Sequence, residues 1–243
     1  AKLPYDALRD FAPITRIATA ANMLVVHPSL PVRSVREFTA FAKARPDQLN
    51  YGSSGTGTPA HLAGVLFNDV ASVRLVHVPY KGSAGALTAI VSGEMQLMFG
   101  TLPSSLPFVR SQRLRALAVT SAQPTPLVPG LPTVAASGLP GYEVTQWFGI
   151  FAPAGTPRDV VGKINGEIAK IVRVPAVRER LAGLGAEPVG NSVEAFSAYI
   201  NTELAKWGRV AKAAKIQGWA KEDRKPWMDR PMTVASIRPP SPA

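Results

Sequence analysis

The stretch Tyr51-Gly52-Ser53-Ser54-Gly55-Thr56-Gly57-Thr58-Pro59 joins a short apolar run, Leu49 to Gly52, to a segment in which Leu62, Leu66 and Val70 recur every four residues. That pattern predicts a strand followed by a helix, with Thr58 as N-cap and Pro59 at the first helical position. Everything between the two is glycine, hydroxyl-bearing or small. Such a loop leaves backbone N–H groups and hydroxyls free for an anion at the positive end of the helix dipole. An ordinary βα turn with an N-cap has the same composition, so this loop alone does not decide between them.

The unit recurs outward from there. Tyr80-Lys81-Gly82-Ser83-Ala84-Gly85 follows a strand predicted over Arg74 to Val78 and opens a helix carrying Leu87, Ile90 and Val91 that ends at Gly93. The strand Met95 to Phe99 leads to Thr101, Ser104 and Ser105 and a short helix near Leu106 to Gln112, and the strand Arg115 to Val119 leads to Thr120 and Ser121. Upstream, Ser34 with Glu37 forms a capping box for a helix through about Ala44 that turns Val35, Phe38 and Phe41 inward. Strand and helix in alternation predict an α/β fold on a parallel sheet, whose C-terminal edge is where open sheets of this kind bind ligands. Four successive loops of one character on that edge argue for a cleft. Lys81 supplies a countercharge there, or is a solvated surface lysine.

Further on, Pro124 to Gly141 is dense in proline and glycine and reads as an irregular connection that crosses between lobes. Glu143 to Ala152 reads as a strand. Thr156, Pro157 and Asp159 start a helix with Ile164, Ile168 and Ile171 as its buried stripe, and Asn191 or Ser192 starts a last one bearing Phe196, Ile200, Leu204 and Trp207. Residues 217–243 have no sustained periodicity and five prolines, which predicts a disordered tail.

The totals narrow the function classes. A chain of 243 residues can bury roughly 70–75% of its unfolded surface. Without cysteine it has no disulfide, thiolate metal site or cysteine nucleophile. No export signal opens the chain and no apolar run is long enough to span a membrane. A net charge of +11 raises nucleic acid as a partner, but the basic residues are scattered over 33–45, 110–115 and 206–215 without interleaved aromatics, so a surface that attracts anionic solutes is the better reading and no nucleic acid is expected. Only His27, His61 and His77 could act as bases, no pair of them has metal-ligand spacing, and Gly52-Ser53-Ser54-Gly55 is not the G-x-S-x-G elbow of a serine hydrolase. His61, in the first turn after the glycine loop, is the one candidate base. No catalytic residue, metal or cofactor is expected.

The same residues resemble the tripartite tricarboxylate transporter substrate-binding family, periplasmic receptors also called Bug proteins. The likeness is carried by Tyr5 to Ile17 (YDALRDFAPITRI), Leu49 to Phe67 (LNYGSSGTGTPAHLAGVLF), Val78 to Ser83 (VPYKGS), Gly93 to Pro107 (GEMQLMFGTLPSSLP), Leu114 to Ser121 (LRALAVTS), Leu131 to Pro140, Trp147 to Pro157 and Leu181 to Val189 (LAGLGAEPV). It implies two Rossmann-like lobes of the periplasmic binding protein type, joined by two crossing segments, with a small carboxylate held at the lobe interface for delivery to a membrane permease. Carried over, Ser53, Ser54, Gly55, Gly57 and Thr58 form one loop of the site and Tyr80, Lys81, Gly82 and Ser83 line the cleft nearby; His61 and Thr101 are expected there from their places beside these loops.

Family members usually begin seventy to ninety residues earlier, with a signal peptide and a P-x-x-A-G-G anion loop. The resemblance therefore implies an N-terminally truncated chain: an incomplete first lobe over residues 1–20 and 146–216, a second lobe over 21–145, and apolar faces left open on the helices at Ile164 to Ile171 and Phe196 to Trp207. The acidic residue common in the family just after the strand ending at Phe99 is replaced by Gly100 and Thr101, which counts against recognition of an amino group or a polar ligand tail.

Overall fold

A computed structural model describes residues 5, 6 and 8–213; the expected tail at 217–243 lies outside the described residues. The longest strand, β1 (Phe11–Val26), is the axis of the molecule. It was not expected as a strand, because Pro13 and the run Ala18-Thr19-Ala20-Ala21 interrupt any alternating pattern.

Its partners change between two consecutive residues. Up to Ala21, which faces Thr145, β1 pairs antiparallel with β6 (Thr145–Pro153), and Ala18 and Thr19 also face β7 (Glu187–Pro188). From Asn22, which faces Thr101, it pairs antiparallel with β4 (Leu97–Thr101) and, from Met23, with β5 (Arg115–Val119). The order β3-β2-β4-β1-β5 is completed by β2 (Asn50–Ser53) and β3 (Val76–Pro79), with β2 parallel to both β3 and β4. The sheet is thus not wholly parallel. Yet β3, β2, β4 and β5 all run one way, with β1 reversed among them, so the four glycine- and hydroxyl-bearing loops do leave from one edge.

Helices cover both faces of this second part of the sheet. Met23, Leu24, Val25 and Val26 are all fully buried, and successive residues go to opposite sides. Leu24 and Val26 pack with Phe38 of α1 (Val35–Lys43) and Phe67 of α2 (Pro59–Ala71), while Met23 and Val25 pack with Ala86 and Ile90 of α3 (Ser83–Val91) and Leu106 of α4 (Leu102–Arg110). Burial on both faces is why this run reads as continuously apolar. The Ser34 capping box forms as expected, Ser34 Oγ accepting from the Glu37 amide and Glu37 reaching back to the Arg33 amide. α4 begins four residues earlier than expected, because Pro103 and Pro107 disguise its first turns.

The proline-rich connection 124–141 has no named element, as expected, and it packs on the second part of the sheet. Val134 and Leu139 are buried in the same cluster as Leu24 and Phe38, and Thr133 bridges Val119. The crossing falls at Val144 and Thr145 instead. Beyond it, α7 (Val193–Ala213) lays Phe196 against Trp147 and Phe151 of β6, with ring centroids 5.7 and 5.2 Å apart. The short helix α6 (Pro175–Gly183) was not anticipated; it buries no residue and so leaves no apolar stripe in the sequence. Of the apolar stripe on α5 (Arg158–Ile171), Ile164 and Ile171 are open, 37% and 52% exposed, as the expectation of a truncated first lobe implied, while Ile168 packs partly against the cluster that Val161 anchors. Phe196, expected to be open, is fully buried.

Candidate functional site

The shared edge brings three helix N-termini together, at Thr58 for α2, Gly82 for α3 and Thr101 for α4, and none of the three receives a side-chain cap. Thr58 occupies the N-cap position as expected, but its hydroxyl turns back to donate to the Gly55 carbonyl at 2.7 Å. Apart from Pro59 in α2 and Pro103 in α4, which carry no N–H, the first amides of these helices retain their capacity to donate. Three aligned dipole ends on one surface make it attractive to an anion.

The β2–α2 loop is a rigid, internally bonded structure. Gly55 and Gly57 adopt φ of +133° and +80°, a region that side chains disfavour, and they bend the chain from strand to helix within five residues. Ser53 differs from the expectation that it faces a ligand. It is fully buried, and its hydroxyl oxygen accepts the Gly55 amide at 3.1 Å, lies 3.0 Å from the Gly55 carbonyl and meets His77 Nε2 at 2.6 Å. The physical reason is strand parity: Ser53 lies on the same face of β2 as Tyr51, which faces the core. Ser54, Gly55 and Thr58 are half-buried and Thr56 and Gly57 exposed, so the accessible part of the loop runs from Ser54 to Thr58.

His61 is also inside, 6% exposed, and its Nδ1 accepts the Gly57 amide at 3.0 Å. Its ring stacks on His77 with centroids 3.9 Å apart, and burial lowers the proton affinity of both rings, that of His77 to a pKa of about 4 with help from its neighbour. His77 was not among the expected site residues. The signal that would have found it is the β2–β3 register, which sets His77 opposite Tyr51.

The β3–α3 loop lies alongside. The Tyr80 amide donates to the Ser53 carbonyl at 3.0 Å, and the Tyr80 carbonyl is 3.7 Å from where a Cβ on Gly55 would stand. Lys81 and Ser83 are exposed, and Gly82 takes φ of +112° with open space around it. On β4, Thr101 Oγ1 and Ser104 Oγ are 2.7 Å apart at the start of α4. The structure therefore brings Ser54, Gly55, Gly57, Thr58, Tyr80, Lys81, Gly82, Ser83 and Thr101 to one edge, and it takes Ser53 and His61 beneath it.

Where the two parts of the sheet meet, Thr120 binds both crossing strands. Its amide donates to the Asn22 carbonyl at 2.9 Å, its hydroxyl oxygen accepts the Asn22 amide at 2.9 Å, and its hydroxyl donates to the Val144 carbonyl at 2.6 Å. Gln146 Nε2 adds a longer bond to Asn22 Oδ1. A cavity of about 320 Å³ lies beside this junction, between the first turn of α2 and α7, with Leu62, Trp147, Glu203 and Trp207 among its walls. Glu203 is 7% exposed and its carboxylate takes the Trp207 indole N–H at 2.9 Å. The Glu203 carboxylate is already satisfied by Trp207 and by Lys206 Nζ at 3.4 Å, so this cavity presents no free donor to an anion from that pair, which favours the loops.

A family model described as tripartite tricarboxylate transporter family receptor matches residues 1–216. A UPF0065 protein from the tcbD-tcbE intergenic region of a Pseudomonas species is 39% identical over 86% of this chain and 62% of its own length. The chain spans 64% of the length of Protein BugT of Bordetella pertussis, at 30% identity over 86% of its own. Among solved structures, an R. palustris protein determined with adipate is 40% identical, with a TM-score of 0.75 over 87% of this chain and 71% of the other. MatC from Rhodopseudomonas palustris with bound malate is 29% identical, with a TM-score of 0.71 over 86% and 72%. A third solved structure, described as periplasmic binding protein BugD, is 29% identical, with a TM-score of 0.71 over 88% of this chain and 72% of the other. With its family model matching residues 1–216, the chain belongs to the tripartite tricarboxylate transporter receptor family.

Proposed function

We propose that this chain is an extracytoplasmic receptor part that captures a small mono-, di- or tricarboxylate on the edge shared by β2, β3, β4 and β5, for hand-over to a tripartite-type membrane permease. The observation that carries the reading is the convergence of three uncapped helix N-termini at Thr58, Gly82 and Thr101. The charge distribution supports it: residues 53–58, 80–85 and 100–105 contain no carboxylate, Lys81 is their one charged residue, and the whole chain carries +11. The adipate and malate of the solved neighbours point to the same ligand class.

The change of partner in β1 between Ala21 and Asn22, with the matching crossing at Val144 and Thr145, supports lobes over residues 1–20 with 146–216 and over 21–145. Hinge closure about those two strands would enclose the ligand. Titration calorimetry against acetate, adipate, malate and citrate, with the neutral diamide of adipic acid as control, tests the reading. At least one carboxylate is expected to bind and the diamide to give no heat. Silence from every carboxylate, or equal binding of the diamide, contradicts it.

A further inference from the structure

A buried histidine, His61, and a half-buried one, His77, stack beneath the loop, and the bonds they make are to the loop itself. We propose that His61 and His77 are positioning residues of the carboxylate site, a brace in which His61 fixes the bend at Gly57 and His77 fixes the bend at Ser53. This inference rests on the reading of the edge as a carboxylate site.

The Gly57 amide can only donate, so the Nδ1 that receives it at 3.0 Å must carry a lone pair, and the single proton of the neutral ring sits on Nε2. A second proton has to enter at Nδ1, where it removes the acceptor that holds Gly57. It also places a charge 3.9 Å from the centre of the His77 ring. His77 in turn meets Ser53 Oγ at 2.6 Å, and that oxygen accepts the Gly55 amide. Between them the two rings fix Ser53, Gly55 and Gly57, while Ser54, Thr56 and Thr58 stay accessible.

The groups that face the rings offer no stabilisation for added charge. His61 comes from α2, His77 from β3 and Tyr51 from β2, with 5.0 Å between the Tyr51 and His77 ring centres; among the described residues no carboxylate pairs with either ring. Burial lowers the proton affinity of both, so the brace stays intact at neutral pH and yields in acid. An imidazolium here would also attract a carboxylate through space, with the opposite effect on affinity, and the two are separable by experiment.

The test compares the unaltered chain with His61→Asn, which keeps a side-chain acceptor but does not titrate, and His61→Phe, which keeps the stack but has no acceptor. In the ligand-free proteins, nitrogen NMR of the His61 ring is expected to show an unprotonated Nδ1. The Gly57 amide is expected to be protected from hydrogen exchange in the unaltered chain and in His61→Asn and to lose that protection in His61→Phe. With adipate as probe, His61→Phe is expected to bind about tenfold more weakly, the worth of roughly one charge-assisted loop bond, and His61→Asn to bind normally. Acidification toward pH 4 should weaken the unaltered chain more than His61→Asn, which shares the ligand's own titration. A protonated Nδ1, unchanged Gly57 protection in His61→Phe, or affinity that rises in acid relative to His61→Asn overturns the brace. Should His61→Phe not fold, the ring nitrogen signal and the acid comparison with His61→Asn decide. If the NMR results hold and neither adipate nor any other carboxylate binds, the brace stands and the carboxylate reading falls.

Discussion

Replacing Thr120 by valine removes one oxygen at the point where both crossing strands are tied, and it changes the shape of the side chain very little. Thr120 is fully buried and Asn22 is 2% exposed, so water cannot replace what is lost. The Asn22 amide loses its acceptor at 2.9 Å and the Val144 carbonyl loses its donor at 2.6 Å. An orphaned buried donor costs about 1–3 kcal/mol and a lost bond to a carbonyl about 1 kcal/mol, giving roughly 2–4 kcal/mol in all. For a domain of this size each kcal/mol moves the melting temperature by about 2–4 °C, so a fall of roughly 5–15 °C is expected. Thermal melts followed by circular dichroism measure it. Thr120→Ser is the control: it keeps both bonds and loses a methyl, at about 1 kcal/mol. If Thr120→Val melts at or above Thr120→Ser, the hydroxyl is not the tie between the strands and the reasoning fails.

Four further outcomes follow from named contacts. Gly64→Ala would set a Cβ 2.2 Å from the ring of the fully buried Tyr51, and should cost about 1–3 kcal/mol in a urea titration as α2 is pushed off β2. Gly82→Ala meets no atom within 4 Å but inherits φ of +112°, so it should strain the loop by about 1–2 kcal/mol, lower the melting temperature by roughly 2–8 °C and weaken adipate binding. His77 has a folded pKa of about 4 against 6.5 when free, so the unfolded chain takes up the proton first; its contribution to stability is complete above about pH 6.5 and is lost as pH falls toward 4, and His77→Gln should flatten the stability profile over that window. Finally, among the described residues β6 is bonded only to β1 and carries Phe148 and Ile150 at 48% and 37% exposure, so Ile150→Lys should lower self-association in sedimentation experiments.

Much of the second part of the sheet was legible from residues 34–119, because each strand there ends in a glycine or hydroxyl cluster that starts a helix. The shared edge follows from that alternation. What remained hidden depends on pairing between distant segments. β1 has no period of its own, since its first half is open on one face and its second half is enclosed on both, and a reader of the sequence has no way to see the switch at Ala21 and Asn22. Ser53 looked like a ligand contact because it sits in a run of small polar residues; only its parity with Tyr51 and the register of β3 show that it is used to hold the loop together. His77, Asn22 and Thr120 act through partners 24, 98 and 98 residues away in the bonds that define them. Such bonds are tertiary facts. The stripe on α5 was legible as apolar, but apolar periodicity does not say that a partner covers it, and Ile171 is half exposed.

Amide chemical shifts recorded while adipate is added locate the bound carboxylate directly. The largest changes are expected on Ser54 to Thr58 and Ala60, on Gly82 to Ala84, and on Leu102 and Ser104, and they should vanish with the neutral diamide. Changes centred on Trp147, Glu203 and Trp207 around the 320 Å³ cavity, or no change at saturating adipate and malate, would contradict this placement.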